Sequence, residues 1–138
     1  MADKLHFWLV APEAELFSGE VDQVDASGVE GDFGVMHGHA PLISIVRPGV
    51  LEVLQGGKVE QRFMVVGGFA EVTSERCTVL ADEATPFEQV TAEQLVERQK
   101  AAERDLVDAA TDAEKAAAQK AVSVAKDLQR AQAFYAGR

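Results

Sequence analysis

Between Leu5 and Pro86 the chain alternates apolar and polar residues in short runs, each broken by Gly, Pro or Asp. A repeat of two, punctuated at close and fairly even spacing, predicts an all-β sandwich or barrel. About nine or ten strands are expected: Leu5–Val10, Gly19–Ala26, Asp32–Met36, Ala40–Ile45, Gly49–Leu54, Lys58–Val66, Gly68–Thr73, Arg76–Ala81 and a short one near Glu83. Gln55-Gly56-Gly57-Lys58 is the clearest hairpin turn, because a glycine pair supplies the positive φ angles of tight primed turns. Gly67-Gly68 reads as a bend where backbone passes close to backbone, and Pro48-Gly49 as a further turn.

After Pro86 the apolar repeat lengthens to that of a helix. Thr91 is placed as an N-cap and Gln94 as its capping-box partner, with Val90 and Leu95 spaced for a hydrophobic staple. The apolar stripe that follows is Leu95, Ala102, Leu106 and Ala109. A second box, Thr111-Asp112-Ala113-Glu114, starts a second stripe of Ala117, Ala121, Val124, Leu128, Ala131 and Tyr135, spaced as a heptad seam. Two helices joined this tightly fold back as an antiparallel hairpin. The expected architecture is thus β plus α: a β-sandwich over residues 1–86 and an α-helical hairpin over residues 87–138. The seam is mostly Ala, and a buried methyl contributes roughly 0.8 kcal/mol against about 1.5–3 for a buried Leu. Strong helix formers on a thin apolar seam fit a movable arm and a permanently docked hairpin equally well.

Charge divides the chain near the same place. Of 138 residues, the first ninety hold fifteen acidic against five basic side chains, while the remainder balance at eight of each. An acidic body of this kind repels nucleic acid and anionic lipid surfaces and favours a basic protein partner; keeping the protein soluble is an equally good account of it. The start lacks the basic n-region of a secretory signal, so a cytosolic protein is expected. No run approaches the roughly 18 apolar residues of a membrane span, so membrane association is expected to be indirect. Cys77 is the only cysteine, which excludes an internal disulfide, and its alternating apolar surroundings place it in the core.

Candidate chemistry is sparse. His37-Gly38-His39 would set two imidazoles on one face of a strand, but a third ligand is missing, so structural or interface roles account for them better than a metal site. No Walker-type, Gly-x-Ser-x-Gly, His-Glu-x-x-His or Cys-x-x-Cys pattern occurs, which leaves nucleotidase, hydrolase and protease readings without an anchor. Gly28, Gly31 and Gly34 open no helix and therefore cradle no phosphate. No catalytic residue, cofactor or metal is expected.

The segment Gly28-Val29-Glu30-Gly31-Asp32-Phe33-Gly34-Val35-Met36-His37-Gly38-His39-Ala40-Pro41-Leu42 is the most specific stretch. Together with Phe17-Ser18-Gly19, Arg47-Pro48-Gly49, Val66-Gly67-Gly68-Phe69-Ala70-Glu71-Val72 and Cys77-Thr78-Val79-Leu80-Ala81-Asp82-Glu83-Ala84, it closely resembles the epsilon-subunit family of bacterial F-type ATP synthases. The resemblance covers essentially the whole chain, in family order and spacing.

It implies a non-catalytic central-stalk rotor subunit, peripheral to the cytoplasmic face of the bacterial inner membrane, that helps couple proton flow to ATP synthesis. The implied partners are the gamma subunit and the membrane c-ring. The loop facing them is then Glu30, Gly31, Asp32, Met36, His37, His39, Ala40, Pro41 and Leu42. Core packing at a strand start is the competing account of Pro41 and Leu42, and the stronger one for Leu42. The resemblance also implies that the hairpin either folds beside the sandwich or extends into the alpha/beta head, where it impedes hydrolysis. Arg98, Lys100, Arg104, Lys115, Lys120, Lys126 and Arg130 are then available to acidic surfaces there, with solvated pairing along the helix as the commoner fate of each. Some members bind ATP through Ile/Leu-Asp-x-x-Arg-Ala at the start of the first helix; Val90-Thr91-Ala92-Glu93-Gln94-Leu95 lacks both the Asp and the Arg.

Overall fold

A computed structural model describes residues 3–138. The chain forms two compact units, the first ending at Glu88 and the second spanning Gln89–Arg138.

The first unit is a single ten-stranded sheet among the described residues, made of β1 (Leu5–Ala11), β2 (Ala14–Val21), β3 (Gln23–Gly28), β4 (Gly31–Met36), β5 (Leu42–Val46), β6 (Gly49–Gln55), β7 (Lys58–Val65), β8 (Gly68–Val72), β9 (Arg76–Ala81) and β10 (Ala84–Pro86). The strand order is β10-β7-β6-β3-β5-β8-β9-β1-β2, with β4 pairing β3. Neighbours run antiparallel except β1 and β9, which are parallel. The sheet curls on itself so that inward residues from its two ends meet. Leu5, Phe7 and Leu9 of β1 join Val24 and Ala26 of β3, Leu51 and Val53 of β6, Phe63 and Val65 of β7, and Cys77 and Val79 of β9 in one buried cluster. Period-two alternation is what allows this, since each strand offers one apolar face to a core between layers and the other to its surroundings.

The turn glycines behave as their dihedrals require. Gly56 and Gly57 take φ of 58° and 77° between β6 and β7. Gly68, at φ 116°, lies so near β9 that a Cβ there would sit 2.1 Å from the Leu80 carbonyl oxygen.

One strand assignment changes. The run Gly19–Ala26, expected as a single strand, turns a corner at Asp22, and β2 begins five residues earlier at Ala14. Ala14–Phe17 faces solvent for much of its length and carries no clean alternation, so only pairing to β1, through a bulge at Leu9/Val10, reveals it. At the corner, the Asp22 carboxylate accepts from Lys4 Nζ at 2.5 Å and from the Gly56 amide at 2.6 Å. The Lys4 ammonium, followed by the Gly56 amide, holds its pKa below the usual carboxylate value.

The second unit holds α1 (Ala92–Asp108) and α2 (Asp112–Tyr135). Thr91 Oγ1 accepts from the Gln94 amide at 3.2 Å while Gln94 Oε1 accepts from the Thr91 amide at 3.0 Å, a complete capping box. At α2 the Thr111 hydroxyl likewise accepts from the Glu114 amide, but the Glu114 carboxylate receives the Ala110 amide one residue earlier than the box requires. Gln129 Nε2 donates to Gln99 Oε1 at 2.6 Å, tying the end of α2 to the start of α1 as an antiparallel hairpin demands. The buried face of α2 is Ala118, Ala125 and Leu128, whereas Ala117 and Ala121 are exposed. The expected stripe holds at Leu128, with Val124, Ala131 and Tyr135 half-buried, but in the first half of α2 the buried position is Ala118 rather than Ala117, because in an Ala-rich stretch several stripes have nearly equal apolarity.

Candidate functional site: an exposed loop end and a bare apolar sheet face

Gly28 and Gly31 are the last pair of the β3–β4 hairpin, leaving Val29-Glu30 as a two-residue turn. Glycine is needed at 28, where a Cβ would meet the Gly31 carbonyl oxygen at 2.7 Å. Glu30, Gly31, Asp32, Met36, His37, Ala40 and Pro41 are exposed, and His39 and Leu42 half-buried. Only Leu42 of this group packs on the core cluster.

The segment has two ends rather than one patch. Glu30, Gly31 and Asp32 lie at the hairpin tip, whereas Met36, His37 and His39 lie at or just past the far end of β4, four residues or more along the chain. At a rise of about 3.3 Å per residue, that separates Asp32 from His37 by roughly 15 Å. Asp32 pairs with Arg47, while no hydrogen bond or ion pair holds the Glu30 carboxylate among the described residues. His37 and His39 occupy a turn around Gly38 (φ 89°), not one face of a strand, and have different neighbours. His39 Nδ1 lies 2.6 Å from the Ala40 carbonyl oxygen, and His37 Nδ1 lies 3.9 Å from Asp3. The Gly38 amide donates to the Ser74 carbonyl at 2.6 Å, fixing this turn to the β8–β9 connection. His37 there borders a groove of about 530 Å³ that it shares with His6, Trp8, Glu20, Glu75 and Arg76, a wall bearing both signs of charge.

A second feature escaped the sequence reading. On β5 the outward residues are Ile43 and Ile45, 75% and 63% exposed, while Ser44 points inward beside Gly28. Register aligns Ile45 with Phe69 of β8, Phe69 with Leu80 of β9, and Leu80 with Val10 of β1, so the outer face carries an apolar row across four strands. Val29 at the hairpin tip extends the exposed apolar surface, its amide donating to the Ile45 carbonyl at 3.0 Å. Contiguous bare hydrophobic surface of this kind marks a docking face. In the sequence, Leu-Ile-Ser-Ile-Val has apolar residues in both phases, so alternation cannot tell which phase is outside.

Of the hairpin cations, Arg104 lies 3.4 Å from Glu97 and Arg130 lies 2.5 Å from Asp127. Arg98 is also engaged. Lys100, Lys115, Lys120 and Lys126 form no ion pair among the described residues. Among the described residues no helix is long and apolar enough to cross a membrane. Cys77 is buried, and desolvation pushes its thiol up to about 12, so it stays protonated and unreactive at neutral pH.

Comparison with known proteins agrees with this geometry. The family model described as ATP synthase, Delta/Epsilon chain, beta-sandwich domain matches residues 4–87. The ATP synthase epsilon chain of Paramagnetospirillum magneticum is 52% identical over 112 residues, covering 81% of this chain and 84% of that one. Among solved structures, a chain of the Euglena gracilis mitochondrial ATP synthase OSCP/F1/c-ring assembly aligns with a TM-score of 0.77 at 24% identity, over 95% of this chain and 82% of its own. A chain of the Tetrahymena thermophila mitochondrial ATP synthase central stalk and c-ring aligns with a TM-score of 0.71 at 20% identity, over 95% and 98%. At those identities the two structures establish the shared fold.

Proposed function

The chain belongs to the ATP synthase delta/epsilon family, as an epsilon chain, and from that membership we propose that it is a non-catalytic part of the central stalk that docks on the gamma subunit and on the c-ring. The observation that carries this reading is the bare row Ile45, Phe69 and Leu80, together with the two exposed ends of the signature segment at Glu30–Asp32 and at Met36–His37. The sheet face suits gamma, since burying such side chains against a partner supplies most of the association energy. The loop ends suit the polar loops of the c-ring, where Glu30 offers a free acidic group and the backbone turns provide fit. Rim ion pairs contribute little energy each, and their value is in register and approach rate.

In this role the protein joins proton flow to ATP synthesis mechanically, as a wedge in the rotor, while remaining peripheral to the cytoplasmic face of the inner membrane. The hairpin, extended toward the alpha/beta head, impedes hydrolysis there, with Lys100, Lys115, Lys120 and Lys126 available to acidic surfaces and Arg98, Arg104 and Arg130 able to exchange their present partners. No ATP site is assigned to it, since Thr91 and Gln94 stand where the nucleotide-binding members have other residues.

Purified protein is expected to show no ATPase activity and to bind a gamma-containing subassembly. Ile45→Asp, an outward change that leaves the core untouched, should weaken that binding by about a hundredfold or more, in the range of a central apolar contact. Binding unaffected by Ile45→Asp and Phe69→Asp together, in proteins that melt like the parent, would remove the face from the interface.

A further inference from the structure

Arg47 stands outside every role assigned so far, yet its contacts are unusual for an exposed residue. It follows β5, and its amide donates to the Ser27 carbonyl at 2.8 Å. Its Nε donates to the Gly28 carbonyl at 3.1 Å, and its Nη2 bonds the Asp32 carboxylate. One residue thus grips both strands of the β3–β4 hairpin. Val29 donates to Ile45 on the same side, so the tip is fastened to the end of β5.

We propose that Arg47 is a positioning residue for docking: it fixes the Gly28–Asp32 tip and holds Asp32 within the subunit, so that Glu30 is the acidic group the c-ring meets. This rests on the docking role above. The physical need for such a clamp follows from composition. The hairpin carries Gly28, Gly31 and Gly34, and β4 pairs with β3 and with no other strand among the described residues. Backbone bonds hold the β3 arm of the tip to β5, so it is the glycine-bearing β4 arm, an edge strand, that is loose without the clamp and must be ordered on binding at an entropic cost. Arg is suited to the task because its planar fork reaches a carbonyl and a carboxylate at once, which a Lys ammonium cannot do in fixed geometry.

The neighbouring residues fit the clamp. Pro48 fixes the backbone immediately after Arg47. Gly49 follows because a Cβ there would approach Ser27 Oγ to 3.0 Å. The Arg47-Pro48-Gly49 run thereby carries one purpose. The Arg47 and Asp32 side chains are 46% and 66% exposed, and pairs so exposed add little to stability. Their loss should therefore leave the melting temperature nearly unchanged while weakening docking.

The test uses the intact subunit, gamma-containing head and solubilised c-ring. Arg47→Met and Asp32→Asn should each lower affinity for the assembled ring complex about threefold to tenfold, the range for one newly mobile segment. Both should speed amide exchange at Val29, whose hydrogen bond to Ile45 the clamp protects. The exchanged pair, Arg47→Asp with Asp32→Arg, should recover only the share of the lost affinity that the ion pair carries, because a carboxylate at position 47 cannot donate to the Gly28 carbonyl. Affinity of Arg47→Met equal to the parent's would overturn the proposal, as would an exchanged pair no better than either single change, since Asp32 would then act by its own charge on the partner. If the parent protein itself failed to bind the ring complex, the docking role would fall and this inference with it; parental binding with an indifferent Arg47 removes only the inference.

Discussion

At Asp22 a single carboxylate closes the corner between β2 and β3, and its surroundings favour the charged form: the Lys4 ammonium first, then the Gly56 amide. A carboxylate whose pKa is lowered by folding contributes stability that is complete above its unfolded value and lost as pH falls through the folded one. That unfolded value is 3.8, and the folded one lies below it. Melting temperature measured against pH should therefore fall more steeply in the acid range for the parent than for Asp22→Asn, the two curves running parallel above about pH 6 and converging below about pH 3. High salt should shrink the gap, because both partners are solvent-accessible. Parallel curves across the whole range would assign the corner to Gly56 geometry instead. At the same scale, His37 and His39 diverge around Gly38 instead of sharing a face, because spacing along a strand sets a shared face only if the strand exists.

For elements, legibility followed the strength of the local repeat. β1 and β9 alternate cleanly and both helices carry capping residues, so each was readable from its own residues. The start of β2 was not, because its pairing with β1 is a long-range fact that its half-solvated residues do not encode. The outward phase of β5 was hidden for the opposite reason, both phases being apolar apart from Ser44. Much of the signature segment is exposed, but its division into two ends and the capture of Asp32 by Arg47 depend on three-dimensional register and could not be read from it. On α2 the departure from the expected stripe at its alanines can be tested by volume. Ala125 is fully buried and Ala121 exposed, so Ala125→Leu should destabilise the hairpin by about 1–3 kcal/mol, whereas Ala121→Leu should stay within about 0.5 kcal/mol. Thermal unfolding followed by helical circular dichroism would decide it. The reverse order would restore the stripe through Ala117 and Ala121.

Across the whole molecule, two different stabilities are at work. The β unit has a core drawn from nearly every strand, with Phe7, Phe63, Leu5, Leu9 and Leu51 fully buried, so its cohesion does not depend on residues beyond Glu88. The helical unit is tied by a capping box at α1, an N-cap at α2, a Gln129–Gln99 bond and an Ala-rich seam in which Leu95 and Leu128 are the large buried side chains. Its helices are locally self-sufficient, while the apolar surface they bury is thin, which lets them keep their form if their surroundings change. Removal of residues 87–138 should therefore leave a β unit that unfolds cooperatively and still binds gamma through Ile45, Phe69 and Leu80. In the reassembled head the same truncation should raise ATP hydrolysis, because on the proposed function the docking face is retained and the impeding arm is lost. A truncated protein that unfolds without cooperativity would refute the division at residue 86. Cooperative unfolding and retained gamma binding with unchanged hydrolysis would leave the protein as a coupling wedge alone, and would locate any brake on the enzyme in another subunit.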